Sequence, residues 1–538
     1  MQSFTSAVWW GGLKPLLAAS TVPGPLGLTA PATVSSGVPA AQAHVPSIWA
    51  VAPFVLLLLV IALMPLVRRC ERFWSRNRNK LLVALTASAL TLLYYCFAHP
   101  MPLDGSAVGE WGLRWGAIGH VLSRSVLEAY IPFIILLLTL YTISGGIRLE
   151  GDLAAHPLTN TAFLAVGAIL ASFIGTTGAA MLLIRPLLDT NSERRHVHHT
   201  VVFFIFIVCN IGGCLLPIGD PPLFLGYLNG VPFLWTLRLV IPWAFCTGML
   251  LAVYYIWDSA AYRREKPEDV RMDEAARRPL KLKGKRNLLY LIGVVLAVGL
   301  LIPGKECVFL RSFTVPEYLR EAVMLALAGL SLLTTPREVR RANQFTFAPM
   351  AEVAALFLGI FITMQAPVEI LHARGPSLGM VAPWQFFWAS GLLSSFLDNA
   401  PTYMVFFETA NSLTGSPGTG ILDLLSGQYI RTDLLVAVSL GAVFMGANTY
   451  IGNGPNFMVK AVAEERGIKM PSFFGYMLYS AIILIPLFLL ITVLFFVMGL
   501  RAVLLGGVAA LPIALTCRWL WARRRTGKEQ GQGETVPK

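Results

Sequence analysis

Ile-Gly-Asp-Pro-Pro at residues 218–222 and Ile-Gly-Asn-Gly-Pro at residues 451–455 interrupt two long apolar stretches of this chain. The stretches, Val201–Trp235 and Leu434–Glu464, are too long for one straight membrane helix, which needs about 20 residues. Gly and Pro at their centres favour a break in the helix. We therefore predict two membrane spans, each with a discontinuous helix.

Two further apolar stretches are interrupted near their centres. Gly175–Gly178 (Gly-Thr-Thr-Gly) divides Thr161–Leu188, and Asp398–Thr402 (Asp-Asn-Ala-Pro-Thr) divides Trp384–Ala410. The first stretch is followed by a basic link and the second is flanked by links with few basic residues. Because basic links stay on the cytoplasmic side, each stretch is predicted to enter and leave on one side, as a re-entrant hairpin.

Nine uninterrupted apolar stretches complete the predicted set of eleven spans. Basic links such as Arg68–Lys80, Arg263–Arg286 and Arg523–Arg525 place the N-terminus outside and the C-terminus in the cytoplasm. The nine stretches are Ile48–Val67, Leu81–Ala98, Val126–Ser144, Leu239–Trp257, Leu288–Ile302, Ala322–Thr334, Ala348–Leu371, Phe473–Met498 and Val503–Leu520.

The interruptions also match between the two halves of the chain. Ser172–Thr176 parallels Ser395–Asn399, and the two broken spans share their Ile-Gly motif. The predicted fold is an all-α polytopic membrane protein with about eleven transmembrane helices and two re-entrant hairpins in two inverted repeats. Its predicted segments are an N-terminal tail or signal-like segment (1–47), a first span and basic link (48–80), two repeats (81–303 and 304–522) and a cytoplasmic tail (523–538).

Composition agrees with a membrane protein. Hydrophobic residues make up 56% of the chain and charged residues 13%, whereas soluble domains contain about 25% charged residues. The net charge of +13 comes from basic links between apolar stretches, so it does not indicate nucleic-acid binding. The seven cysteines lack the spacing of a metal site or of a disulfide framework.

Paired interruptions in inverted halves predict a transport site near the middle of the membrane. We predict that Asp398 is the main proton- or cation-binding group. The possible ligands of a bound Na+ are Asp398, Asn399 and Asn453. The alternative is that Asp398 only caps a half-helix through amides near Thr402. This capping interpretation is stronger for Asp220, because Pro221 marks a helix start. The other predicted site residues are Thr176, Thr177, Asn210, Gly219, Thr402, Asn448, Thr449, Gly452 and Asn456.

These motifs resemble the ion transporter superfamily, which includes arsenite permeases, NhaD-type sodium/proton antiporters, citrate and dicarboxylate carriers and the melanosomal P protein. Asn210–Gly213 with Ile218–Pro222 is similar to the motif of the P protein and arsenite permease branch. Ser394–Thr402 resembles the hairpin motif of NhaD-type antiporters, and Gly446–Asn456 resembles the second break. The resemblance implies eleven spans plus two hairpins. Dicarboxylate carriers have Ser-Asn-Thr at both tips, which this chain lacks.

The sequence therefore predicts a secondary active transporter of the inner membrane, first a sodium/proton antiporter and alternatively a cation- or proton-coupled citrate carrier. The expected partners are a small cation or a carboxylate and the lipid bilayer, without nucleic acid. No cofactor is expected beyond coupling Na+ or H+, and a homodimer stays an open alternative. A channel or an intramembrane protease is a remote alternative. Enzymatic activity is not expected, because Pro217 replaces the first glycine of a Gly-x-Gly-Asp motif.

Overall fold

In the computed structural model the described residues are 45–498, apart from 65–66, 68–69, 99–109, 276–277, 308–309 and 415. Helices dominate this part of the chain, and its strands form three two-stranded sheets. The antiparallel strand pairs are Arg148–Asp152 with Arg278–Lys283, Glu306–Cys307 with Leu310–Thr314, and Ile421–Asp423 with Tyr429–Arg431. The chain is therefore an all-α polytopic membrane protein, as predicted.

Helices occupy each uninterrupted apolar stretch that falls in the described part of the chain. Six helices there are long and apolar enough to cross a membrane, and several shorter apolar helices accompany them. The predicted last span, Val503–Leu520, lies outside the described residues. The main helices are Ala52–Leu63, Asn77–Phe97, Glu110–Leu122, Ile131–Ser144, Val240–Tyr262, Arg286–Leu300, Leu319–Thr334, Ala348–Thr363, Gln365–Arg374 and Phe473–Ile491.

Shorter helices link or extend these elements. The third span is longer than predicted. The π-helical segment Ser123–Tyr130 joins the α-helices Glu110–Leu122 and Ile131–Ser144 into one continuous helix. The apolar helix therefore runs from Trp115 to Ser144 and not from Val126. Arg124 and Glu128 do not interrupt it, since a helix bonds its backbone internally whatever its side chains. The other short helices are Ile48–Val51, Glu71–Trp74, Phe233–Leu239, Pro267–Ala275, Arg337–Ala342, Gly375–Leu378 and Thr492–Val497.

Each predicted hairpin is a pair of helices whose outer ends lie close together. The first consists of Pro157–Ile174 and Thr176–Thr190, joined by Gly175 at φ 78°. At its base the amides of Asn160 and Asn191 exchange hydrogen bonds of 2.8 and 2.9 Å. Both ends of this hairpin therefore lie together, although its first helix is long enough to span a membrane.

The second hairpin consists of Pro383–Ser394 and Asn399–Ser412. Arg431 joins its two ends, because its guanidinium donates to the Val381 carbonyl at 3.3 Å and its amide donates to the Thr414 hydroxyl at 3.2 Å. The segment between the two helices is residues 395–398, so the predicted interruption Asp398–Thr402 lies at the tip but overlaps the first turn of the second helix.

Both long stretches contain broken helices where the sequence predicts them. The first has α-helices at His198–Ile207 and Pro221–Leu228, separated by single 3-10 turns at Ile211–Cys214 and Pro217–Gly219. The second has α-helices at Thr432–Met445 and Gly454–Glu465, with a 3-10 turn at Gly446–Asn448. Each second half begins with proline in its first turn, where a missing N–H costs no helical hydrogen bond.

The same hydrogen-bond arrangement connects hairpin and broken span in both halves. Ser172 Oγ donates to the Gly212 carbonyl at 2.6 Å and accepts the Leu215 amide at 3.1 Å. In the second half, Ser395 Oγ donates to the Met445 carbonyl at 3.1 Å and accepts the Asn448 side-chain amide at 2.9 Å. A serine before each hairpin tip therefore fixes the tip against the adjacent break.

A buried charged cluster holds the base of the first hairpin. The Asp258 carboxylate accepts hydrogen bonds from Arg194 at 2.6 and 3.1 Å, from His199 at 2.9 Å and from Asn160 at 3.3 Å. Asp258 lies in Val240–Tyr262, whereas its partners belong to the hairpin and to the chain after it. The cluster therefore ties the hairpin base to a neighbouring span.

Replacing Asp258 with Asn should destabilise the folded protein by about 3–5 kcal/mol, because it removes the charge that both terminal nitrogens of the buried Arg194 contact and leaves only Glu265, 3.8 Å from Arg194 Nε. The matched control is Asp433→Asn, which breaks the exposed Arg431–Asp433 pair and should cost about 1 kcal/mol or less. Thermal unfolding of the purified variants in detergent measures the difference. Equal unfolding temperatures for the two variants would contradict this role.

Candidate functional site

One carboxylate connects all four interruptions. Asp220 lies in the first break, and its side chain accepts Asn399 Nδ2 of the second hairpin tip at 2.7 Å. It also accepts Asn453 Nδ2 of the second break at 3.3 Å and the Thr176 hydroxyl of the first hairpin tip at 3.2 Å. Segments that are far apart in the sequence therefore meet at one carboxylate.

These four side chains are almost completely buried. Asp220 is 1% exposed, and Asn399, Asn453 and Thr176 are 0–4% exposed. An ionised carboxylate is costly in such a place unless hydrogen-bond donors or a cation neutralise its charge. The site provides three neutral donors and, among the described contacts of Asp220, no cationic side chain. A small cation or a proton would complete its neutralisation.

The capping alternative applies to Asp398 and not to Asp220, for which the sequence favoured it more strongly. The Asp220 side chain makes no capping hydrogen bond: Pro222 at the second helical position has no N–H, and the Leu223 amide at the third donates to the Asp220 backbone carbonyl at 3.1 Å. The Asp398 side chain does cap its helix, accepting the Ala400 amide at 3.3 Å. The Thr402 hydroxyl donates to the Asp398 backbone carbonyl at 3.0 Å. The Asp220 side chain is thus left available to the site.

Three asparagine oxygens around the site have no hydrogen-bond donor in the described part of the chain. They are the Oδ1 atoms of Asn210, Asn399 and Asn448, and all three are buried. Unpaired acceptors together with a carboxylate are the ligand chemistry of a hard cation, which binds oxygen. These three oxygens are therefore acceptors that the protein's own described donors leave without a partner.

The remaining predicted asparagines hold the two breaks against each other. Asn210 Nδ2 donates to Asn456 Oδ1 at 2.8 Å, and Asn456 Nδ2 donates to the Gly446 and Thr449 carbonyls at 2.9 and 3.0 Å. Asn453 Nδ2 also donates to the Cys209 carbonyl at 3.0 Å. These amides satisfy backbone carbonyls that the broken helices leave without partners.

The other predicted site residues have separate positions. Asn448 and the Thr449 hydroxyl bond to Ser395, so they support the second hairpin tip and do not contact Asp220. Thr177 and Asp398 line the adjacent cavity. Gly219 and Gly452 lie where chain segments approach closely. Ser172 and Ser395 were not among the predicted site residues, although each is the first residue of a motif that is matched between the two halves.

A cavity of about 1020 Å³ lies beside the site and is lined by Gly219 and Pro221, the chain neighbours of Asp220, although Asp220 itself is not among its lining residues. At one end it is lined by the hairpin tips and breaks, including Thr176, Asp398 and Asn453, and it extends to Lys80 and Lys460. Lys80 forms a 2.6 Å ion pair with Glu352, and Lys460 approaches Glu464 at 3.3 Å. Lys80 belongs to the end of the predicted cytoplasmic link, so the cavity extends toward the face that carries the basic links.

Comparison with protein-family models gives a match over residues 42–496, to the family described as "Putative citrate transport". The match includes both hairpins, both broken spans and all residues around Asp220. No curated protein matches the chain.

Proposed function

The chain belongs to this citrate transport family, and on that basis we propose that it is a secondary active transporter whose central site binds a small cation at Asp220. The observation that carries the proposal is the convergence of all four interruptions on the Asp220 carboxylate. Broken helices at the membrane midplane commonly coordinate coupling ions through freed backbone and side-chain oxygens. We place the protein in the inner membrane, with its N-terminus outside.

Exchange of a cation for a proton is the first candidate activity. A buried carboxylate is tolerated in the membrane when a proton or a cation neutralises it, and one carboxylate cannot hold both at once. Proton binding to Asp220 would therefore release the cation. This competition supports sodium/proton exchange at a single site, where Asn399 and Asn453 donate hydrogen bonds to the carboxylate.

Coupled transport of citrate is the second candidate. The family description names citrate, and the cavity of about 1020 Å³ is far larger than a bare cation requires. Lys80 and Lys460 line this cavity and could attract carboxylate groups. In this case the cation at Asp220 would be the coupling ion and the cavity would hold the carboxylate.

Flux measurements in proteoliposomes with an imposed pH gradient separate the two candidates. Saturable proton movement on addition of Na+ or Li+ without citrate is the expected result for exchange. Citrate uptake that depends on Na+ or protons, without cation-driven proton movement, would assign the carboxylate alternative. Non-saturable flux in every condition would indicate a channel and contradict the transporter proposal.

A further inference from the structure

A second cavity, of about 480 Å³, lies away from the central site. It is formed by the end of the first hairpin, the chain that follows it, and the loop after the second broken span. We call it the basic pocket, because Arg194, Arg195, His198, Arg466 and Lys469 line it and no acidic residue does. Its remaining lining residues are Leu188, Asn191, Ser192, Val197, Gly467 and Ile468.

The cations of the basic pocket are paired to different extents. Arg194 is buried, and both of its terminal nitrogens bond to Asp258. Arg195 contacts Asp269 through Nε at 2.8 Å, and Arg466 contacts Asp189 through Nη1, so each retains terminal nitrogens for another acceptor. Lys469 has no hydrogen-bond or ion-pair partner among the described residues. Glu265 also lies 3.8 Å from Arg194, so the three arginines have four carboxylate neighbours, and what remains for a ligand is the ammonium of Lys469 and the terminal nitrogens of Arg195 and Arg466.

We propose that the basic pocket binds a phosphate group. Arginine forks and a lysine ammonium are the side chains that recognise phosphate, whose oxygens accept several charge-assisted hydrogen bonds. The pocket faces the side of the basic links, where the headgroups of anionic lipids and soluble phosphate compounds both occur. Its apolar members, Leu188, Val197 and Ile468, would contact the remainder of the ligand.

A ligand in the basic pocket would connect the first hairpin to the second broken span. Both elements contribute to the central site, and the pocket lies at their ends away from that site. Arg466 and Asp189 already connect the loop after the second broken span to the end of the first hairpin. A phosphate held between Arg195 on one element and Lys469 on the other would reinforce this connection.

Thermal unfolding of the purified full-length protein tests the proposal in two arms. One arm adds inorganic phosphate, with chloride at equal ionic strength as the reference. The other compares vesicles of phosphatidylcholine with vesicles containing equal parts phosphatidylcholine and phosphatidylglycerol. We expect a higher unfolding temperature in at least one arm, and the arm that responds identifies the source of the phosphate group.

Variants then assign the effect to the pocket. Lys469→Gln should weaken phosphate binding about tenfold, because it removes one charge-assisted contact, and Lys469→Arg should retain binding. Lys281→Gln removes an exposed lysine of the basic link outside the pocket and should bind as the wild type does. No stabilisation in either arm, or equal stabilisation of Lys469→Gln and the wild type, would overturn the proposal.

Discussion

Asp220→Asn is expected to abolish coupled transport while the folded protein remains in the membrane. The substitution preserves the size of the side chain but removes the negative charge on which Thr176, Asn399 and Asn453 converge. Loss of an ionised ligand costs about 3 kcal/mol, so cation affinity should fall roughly 100-fold. Cation-driven proton flux in proteoliposomes measures the effect.

Asp398→Asn is the matched comparison, because it removes the second carboxylate near the same cavity. Asparagine caps helices as well as aspartate does, so the bond from the Ala400 amide should persist. We expect this variant to keep most of its flux, which reverses the order that the sequence alone predicts. Full flux in Asp220→Asn together with loss of flux in Asp398→Asn would return the main role to Asp398.

Adding a single methyl group at Gly219 or Gly452 should also eliminate transport. A Cβ at Gly219 would lie 2.3 Å from the Gly213 carbonyl oxygen, and a Cβ at Gly452 would lie 2.6 Å from the Gly446 carbonyl oxygen. Both distances are far below van der Waals contact, and backbone cannot move aside as a flexible side chain can. Each substitution would therefore move the broken segment of its span away from the adjacent hairpin tip.

Gly454→Ala provides the control in the same break, because a Cβ there meets no atom within 4 Å. We expect Gly454→Ala to transport as the wild type does, whereas Gly219→Ala and Gly452→Ala should lose nearly all flux. Membrane insertion should be compared first, by protein yield and by gel filtration in detergent. Normal flux in Gly219→Ala would show that the two segments need not approach so closely.

The helical architecture was predictable because its signals are local. Apolar length defines a membrane helix, and Gly and Pro interrupt it where they occur in the sequence. The broken spans and both hairpin tips accordingly fall at the predicted motifs. The third span was longer than predicted, because the charged side chains of Arg124 and Glu128 occur within a helix that continues through them.

The roles of the two aspartates were not predictable, because they depend on contacts between distant segments. Asn399 is 179 residues from Asp220, and Asn453 is 233 residues away. Pro221 correctly marked a helix start, but Pro222 has no amide to offer a cap, and the Leu223 amide bonds to the Asp220 backbone carbonyl. The Asp220 side chain instead accepts hydrogen bonds from segments that no local signal connects to it.

Equilibrium binding of radioactive Na+ to the purified protein tests the central claim most directly. The wild type should bind Na+ saturably, and binding should weaken as the pH falls and protons compete for Asp220. Asp220→Asn should bind Na+ roughly 100-fold more weakly and without dependence on pH, whereas Asp398→Asn should bind it as the wild type does. Undiminished, pH-dependent Na+ binding by Asp220→Asn would contradict a cation site at this carboxylate.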